Sequence, residues 1–284
     1  MKRVVRRADF DATHGYEYPT HLRDSIVDLP TTPGVYIFHG VSGDLPLYIG
    51  KSVNIRSRVM SHLRTADEAR MLKQTEKITY IRTTGEIGAL LLEARLIKEQ
   101  QPLFNHKLRR SRQMCSLRIE SEKPEVVYSN QIDFSNTPDL YGLYASRHSA
   151  LEALKNIADE QRLCLSVLGL EKRSGDRPCF RAMLNRCAGA CHGQETHEAH
   201  RARLVESLSH QRLICWPYPG AIGLIETLET ETQIHVVNNW FYLGSVATIE
   251  EARTLHHTAP GFDSDSYKIL CKPIMNGAAQ IVTL

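Results

Sequence analysis

Two short apolar runs stand close together early in the chain. They are Val35-Tyr36-Ile37-Phe38 and Leu45-Pro46-Leu47-Tyr48-Ile49, both of strand length and rich in β-branched and aromatic residues. The turn residues at 40–44 between them predict an antiparallel hairpin. From residue 53 the spacing changes: Ile55, Val59 and Leu63 recur at helical intervals, with Ser52 as the expected N-cap and with Arg58 and His62 four apart on one face. A further helical stretch is expected over 67–73, and alternation over 77–83 predicts a third strand. The strongest helical pattern spans 86–101. Thr84 or Gly85 starts it, Ala89 to Leu92 and Leu96-Ile97 give it an apolar face, and Pro102 stops it.

Beyond residue 110 the pattern is less regular. Residues 117–144 read as β-rich, notably 125–128 and 140–144, and helices are expected over 149–163 and 197–213. Strands are expected over 221–228, 233–237 and 267–271. The whole reads as an α/β (α+β) chain in four parts: a leader at 1–24, a domain at 25–110 with a small three-stranded, mainly antiparallel sheet flanked by helices, a cysteine-bearing region at 111–194, and a small α+β part at 195–284.

Composition adds an asymmetry. The 284 residues carry a net charge of only +3, yet residues 1–112 hold 19 Lys and Arg against 12 Asp and Glu, and the remainder holds 16 against 20. A basic first domain suits a polyanionic partner. The basic run at 107–112 lies at the end of that domain. The first seven residues have no apolar stretch behind them, so no secretory signal is expected, and no run is long and apolar enough for a membrane helix. The expected compartment is the cytoplasm.

Against that background, Tyr36, Tyr48, Lys51, Arg58, His62, Glu93 and Asn105 form a candidate site for cutting a phosphodiester. Such a site must activate a water, neutralise phosphoryl charge and assist the leaving oxygen. A carboxylate can hold a hard divalent cation for the last two tasks, and Glu93 sits among Leu90, Leu91, Leu92 and Ala94. The alternative for Glu93 is a surface ion pair with Lys98 or Arg95. Tyr36 and Tyr48, on neighbouring strands, offer hydroxyls that accept or pass on a proton. Lys51 is placed to lower a tyrosine pKa or to meet a phosphate, and the Arg58 guanidinium suits non-bridging phosphate oxygens.

Four of seven cysteines form a second constellation, Cys179-x7-Cys187-x3-Cys191 with Cys164 fifteen residues earlier. Without an export signal, metal ligation is a better account than disulfides. Spacing alone leaves zinc and a [4Fe–4S] cluster open. Arg177, Arg181 and Arg186 lie beside these cysteines. His197 and His200 are expected on the solvent face of a helix, and Trp216 to Gly220 read as either a packed aromatic turn or a partner surface.

Pro33-Gly34-Val35-Tyr36, followed by Tyr48-Ile49-Gly50-Lys51 and the helix bearing Arg58, resembles the GIY-YIG nuclease superfamily and, within it, the UvrC family, most closely its short members. The resemblance covers about residues 25–193. It implies that Glu93 binds Mg²⁺ or Mn²⁺, that Tyr48, with help from Lys51 or His62, takes a proton from the attacking water, that Arg58 stabilises the transition state, and that Tyr36 and Asn105 orient the site. His62 stands where UvrC proteins commonly carry tyrosine. Cys164, Cys179, Cys187 and Cys191 match cysteines that bind an iron-sulfur cluster in that family, which implies a structural [4Fe–4S] cluster with zinc as the alternative.

By the same resemblance the substrate is damaged double-stranded DNA and the partners are UvrA and UvrB, with induction by DNA damage. A chain of 284 residues leaves no room for the family's second nuclease, so only the incision on the 3′ side of a bulky lesion is expected. Two rivals remain open: a structure-selective nuclease independent of repair partners, and a non-catalytic DNA-binding scaffold.

Overall fold

A computed structural model describes residues 19–41, 46–108, 113–172, 177–255 and 261–284, and it divides the chain into two compact units, residues 1–109 and 110–284. Most of the expected leader, of the turn at 40–44 and of the basic run at 107–112 lies outside the described residues.

In the first unit a short helix, α1 (Arg23–Val27), precedes strands β1 (Gly34–His39) and β2 (Pro46–Ser52). Helices α2 (Ile55–His62) and α3 (Ala69–Gln74), strand β3 (Lys77–Arg82) and helix α4 (Glu86–Gln100) follow. The strands form one antiparallel sheet in the order β2-β1-β3. β1 is central and buried on both faces, so it is apolar at nearly every position rather than alternating.

The period of two then sorts its neighbours. Tyr36 and Phe38 pack with Ile55 and Val59 of α2, with Leu63 just after it, and with Met71 and Leu72 of α3. Val35 and Ile37, one residue out of phase, pack with Ile49 and with Leu96 and Ile97 of α4. Helix α4 ends as expected, with Gln101 in the left-handed conformation at φ 51° just before Pro102.

One cap differs from expectation. Asn54, not Ser52, caps α2: its Oδ1 accepts the Ser57 N–H at 2.9 Å, while Ser52 is the last residue of β2 and turns its hydroxyl to Asn54 O at 2.8 Å.

In the second unit β4 (Cys115–Arg118), β5 (Glu125–Tyr128) and β6 (Leu140–Tyr144) make an antiparallel sheet in the order β5-β4-β6. Helix α5 (Arg147–Glu160), capped by Ser146, covers it. A single turn, α6 (Phe180–Met183), lies in the cysteine segment. Helix α7 (His197–Leu208), read from sequence with the C-terminal part, sends Leu204 and Leu208 into the same core as Leu117, Ala150 and Leu154.

The rest is a four-stranded antiparallel sheet, β7 (Ile222–Leu228), β8 (Glu231–Asn238), β9 (Phe241–Val246) and β10 (Gln280–Thr283), in the order β10-β7-β8-β9. Helices α8 (Ile249–Thr254) and α9 (Ser264–Met275) accompany it.

The strand expected over 267–271 is part of α9. Asp263 caps this helix through both Asp265 N and Ser266 N, and Ser266, Leu270 and Ile274 are buried at intervals of four. Helical periodicity over the longer window thus overrides a five-residue β-prone run. Trp216 proves to be a packed aromatic, meeting Tyr218 and Trp240 edge-on and donating its indole N–H to Gly220 O at 3.0 Å. No described helix is long and apolar enough to cross a membrane.

Candidate active site and thiolate centre

The sheet face toward α2 carries Tyr36 and Tyr48 with ring centroids 6.3 Å apart, and α2 brings His62 to 5.4 Å from each ring. Tyr36 is directly opposite Gly50 in the β1–β2 register. Its phenol lies across that glycine, since a Cβ there would fall 2.3 Å from the Tyr36 hydroxyl. The glycine of the second motif is therefore a platform for the tyrosine of the first.

Tyr36 Oη meets His62 Nε2 at 2.8 Å, and Arg58 and Tyr48 are also hydrogen-bonding neighbours of the two phenols. His62 Nδ1 is paired with the Glu68 carboxylate. Because an ionised carboxylate only accepts, the proton of a neutral imidazole sits on Nδ1, which leaves the Nε2 lone pair facing the Tyr36 hydroxyl. Burial lowers the His62 pKa below its ordinary value, and Glu68 opposes that shift in part. Burial pushes both phenols up, with the Glu93 charge adding to the effect on each, so both are neutral.

Glu93 reaches the other end of this constellation from α4. It is half-buried, and Oε1 accepts the Lys51 backbone N–H at 3.1 Å. Burial raises its pKa, against that hydrogen bond and the Lys51 charge. A half-buried carboxylate anchored by one backbone donor beside two phenols is a donor set that fits a hard divalent cation. The Lys51 ammonium does not lower a tyrosine pKa: it pairs with Glu86 at 2.6 Å, and Tyr48 is shifted up rather than down.

Asn105 stands somewhat apart in role. β2 is an edge strand, and its odd-numbered residues turn their backbone groups outward. Asn105 supplies both missing partners of Ile49, accepting its N–H at 2.9 Å and donating to its carbonyl at 2.8 Å. Phe104 N–H reaches Leu47 O at 2.8 Å, and Glu93 takes Lys51 N–H. The edge is thus closed along its length, and Tyr48 and Gly50 are held in register. Glu68 escaped the sequence reading, because it lies in a short 3-10 turn (Ala66–Glu68) that only the fold brings back to His62. An acidic residue six positions after the histidine was the sole signal.

In the second unit Cys164, Cys179, Cys187 and Cys191 converge, with all four Sγ atoms within 4.8 Å of one another. Backbone donors point at the sulfurs: Cys179 N–H at Cys191 Sγ (3.5 Å) and Gly189 N–H at Cys187 Sγ (3.3 Å). Burial raises the Cys191 thiol, but Cys179 N–H, His192 and the neighbouring thiols outweigh it and bring the pKa to about 6, whereas burial carries Cys187 up to about 12. Holding four clustered thiols as thiolates calls for a cation to offset their charge. The donor set fits a metal centre. A single tetrahedral ion with sulfurs at about 2.3 Å has sulfur–sulfur edges of about 3.8 Å, comparable to the 4.0 Å between Cys164 and Cys179, whereas a four-iron cubane spreads its thiolates more widely.

His200 does not face solvent as expected. It is buried, and its Nε2 accepts Cys164 N–H at 2.9 Å, pinning the first cysteine's backbone to α7. His197 is exposed and pairs with Glu122.

Three sequence families match the chain in succession. Residues 32–106 match the UvrC-like GIY-YIG domain, 114–210 the UvrC/Cho excinuclease middle domain, and 221–284 the excinuclease Cho C-terminal domain. The chain is 58% identical over 278 residues to excinuclease cho of Escherichia coli (strain K12), covering 98% of this chain and 94% of that protein. The protein of the same name from Salmonella typhi is 59% identical, with 98% and 95% covered. The UvrABC system protein C of Caldicellulosiruptor saccharolyticus is 33% identical over 193 residues, which are 65% of this chain and 32% of that protein. Among solved structures, the GIY-YIG N-terminal endonuclease domain of UvrC from Thermotoga maritima, bound to its catalytic divalent cation, magnesium, is 34% identical with a TM-score of 0.27, covering 29% of this chain and 93% of that one.

Proposed function

The chain belongs to the excinuclease Cho family, a DNA endonuclease family of nucleotide excision repair with a UvrC-like GIY-YIG domain, and from that premise we propose that it hydrolyses one phosphodiester on the 3′ side of a bulky lesion in damaged duplex DNA, working with UvrA and UvrB. The observation that carries the reading is the run of contacts from Tyr48 and Tyr36 to His62 and Glu68, with the Glu93 carboxylate held by the Lys51 backbone close enough for its charge to act on both phenols.

Glu93 would hold Mg²⁺ or Mn²⁺. A hard cation there neutralises charge on the phosphoryl and leaving oxygens. Arg58, exposed at one end of the tyrosine pair, binds non-bridging phosphate oxygens and stabilises the charge that grows on them. Neither phenol is a standing base, because burial keeps both protonated.

The proton of the attacking water therefore moves along a relay. Tyr48 accepts it and gives its own to Tyr36, Tyr36 gives its own to His62 Nε2, and Glu68 stabilises the imidazolium that results. Every member ends with the proton count it needs, and His62 returns its extra proton to solvent. Asn105 is a positioning residue that keeps β2 in place, and Lys51 positions Glu93 through its backbone.

The four cysteines hold a metal centre that fixes the loop around them. A [4Fe–4S] cluster is the assignment that the family resemblance favours, and the sulfur spacing is the observation that favours zinc. Absorbance near about 400 nm together with metal analysis separates the two.

Gel-resolved incision of a duplex with one bulky adduct, with and without UvrA, UvrB and ATP, tests the reading. A single partner-dependent cut 3′ of the adduct supports it. A cut on the 5′ side contradicts the incision side, and equal cutting without partners favours the structure-selective alternative.

A further inference from the structure

Phe180, Met183 and Leu184 are 68%, 68% and 51% exposed. Only seven large apolar side chains are at least half exposed among the described residues, and these three lie within five positions. Scattered exposed apolar residues are ordinary, whereas a cluster marks a surface that meets something. The three share one side of α6 and the turn after it, spaced three and four apart.

The segment is tied to its surroundings at several points. Cys179 and Cys187 bound it at either end, and both belong to the thiolate centre. Arg181 is tied to Asp159 at 2.5 Å and to Arg186 O at 3.4 Å, and Asn185 accepts from Arg162 at 2.5 Å. Between these ties the three apolar side chains stand exposed.

Its charge identifies the occupant. Residues 177–186 read Arg-Pro-Cys-Phe-Arg-Ala-Met-Leu-Asn-Arg, with three arginines and no acidic residue, and Arg177 and Arg186 are exposed on either side of the apolar trio. A second copy docking through the same patch would set arginines against arginines, which disfavours self-association. Apolar side chains between arginines are instead the composition that enters DNA where stacking is weak: the apolar groups sit against base faces and the guanidinium groups neutralise the flanking phosphates.

We propose that residues 177–186 form a wedge that recognises distorted duplex DNA, with Phe180, Met183 and Leu184 seated against unstacked bases and Arg177 and Arg186 on the adjoining phosphates. The inference rests on the reading that this chain acts on damaged duplex, and it adds that unstacking is sensed by the thiolate-bound segment itself.

The test is binding of the full chain, without added divalent cation, to a fully paired duplex and to the same duplex with a two-nucleotide bubble carrying 2-aminopurine. Wild type should bind the bubble more tightly and change its 2-aminopurine fluorescence. Phe180→Ala should lose about tenfold in affinity for the bubble, keep its affinity for paired duplex within about threefold of wild type, and abolish the fluorescence change. Arg177→Ala and Arg186→Ala should weaken both DNAs alike and each reduce the salt slope by about one. Unchanged metal content and circular dichroism exclude unfolding.

If Phe180→Ala binds the bubble as wild type does, the wedge is wrong. The same holds if the variant loses only protein binding, to UvrB or to a second copy, and the patch is then a protein interface. Either result leaves the nuclease reading intact so long as wild type still cuts. Wild type that neither binds nor cuts either DNA would remove that reading as well.

Discussion

Tyr36 lies across Gly50, its hydroxyl 2.3 Å from where a Gly50 side chain would begin. The two named halves of the motif thus meet as one object, a phenol resting on a bare stretch of strand. Gly50→Ala should push Tyr36 off His62 and Arg58. A displacement of about 1 Å in a catalytic group costs on the order of a hundredfold in rate. Single-turnover cutting measures this, with Gly220→Ala, which has open space around its Cβ, retaining wild-type activity.

Asn105→Ala should act through the fold rather than the chemistry. It strips both partners from the buried backbone groups of Ile49, at a cost of at least about 2 kcal/mol. The melting temperature of the isolated variant should fall by several degrees, and activity should fall with it. An unchanged melting temperature with lost activity would place Asn105 on the substrate instead.

The relay sets the acid limb of activity. His62 must be neutral to accept a proton, and burial holds its pKa below 6.5. Activity should therefore persist at pH 6.5 and fall as pH drops through the lowered value. Glu68 favours the imidazolium, so Glu68→Gln should move that limb to still lower pH while slowing the reaction at neutral pH. The pH–rate profile of single-turnover cutting reads both effects. A limb that stays in place in Glu68→Gln would break the link between Glu68 and His62. Stability carries the same sign: a histidine buried neutral favours the fold above its unfolded pKa, and that contribution is lost as pH falls through the folded value.

The thiolate centre should respond to both serine substitution and acid. Cys187→Ser should lower metal content and expose the segment from Cys179 to Cys191 to proteolysis. Because bound thiolates must be deprotonated, metal release should accelerate as pH falls. Metal analysis against pH checks this. Equal metal content in wild type and Cys187→Ser would remove Cys187 from the ligand set.

The sheet of the first unit was legible because β1, buried on both faces, reads as an unbroken apolar run, and α4 repeats apolar residues over four turns before a proline. The α2 cap was misplaced because Ser52 and Asn54 are both good caps, and only the length of β2 decides between them. The candidate site was legible in its tyrosines, Arg58 and Glu93 because each sits at a fixed offset in a motif. Glu68 and the task of Asn105 were not, since both depend on a chain that turns back on itself. His200 was misread because helix α7 is half core and half surface, and a histidine on either side looks alike in one dimension. In residues 221–284, β9 and β10 lack a strong alternating pattern, and the β-prone run at 267–271 belongs to an amphipathic helix.

The central claim is that Glu93 holds the cation on which cutting depends. Single-turnover incision by wild type and Glu93→Ala, in Mg²⁺ and on a lesion-bearing duplex with UvrA, UvrB and ATP, tests it most directly. The account predicts a rate loss of at least about a hundredfold, about 3 kcal/mol of barrier or more, with folding and DNA binding retained. A rate within about fivefold of wild type, some 1 kcal/mol of barrier, would contradict it.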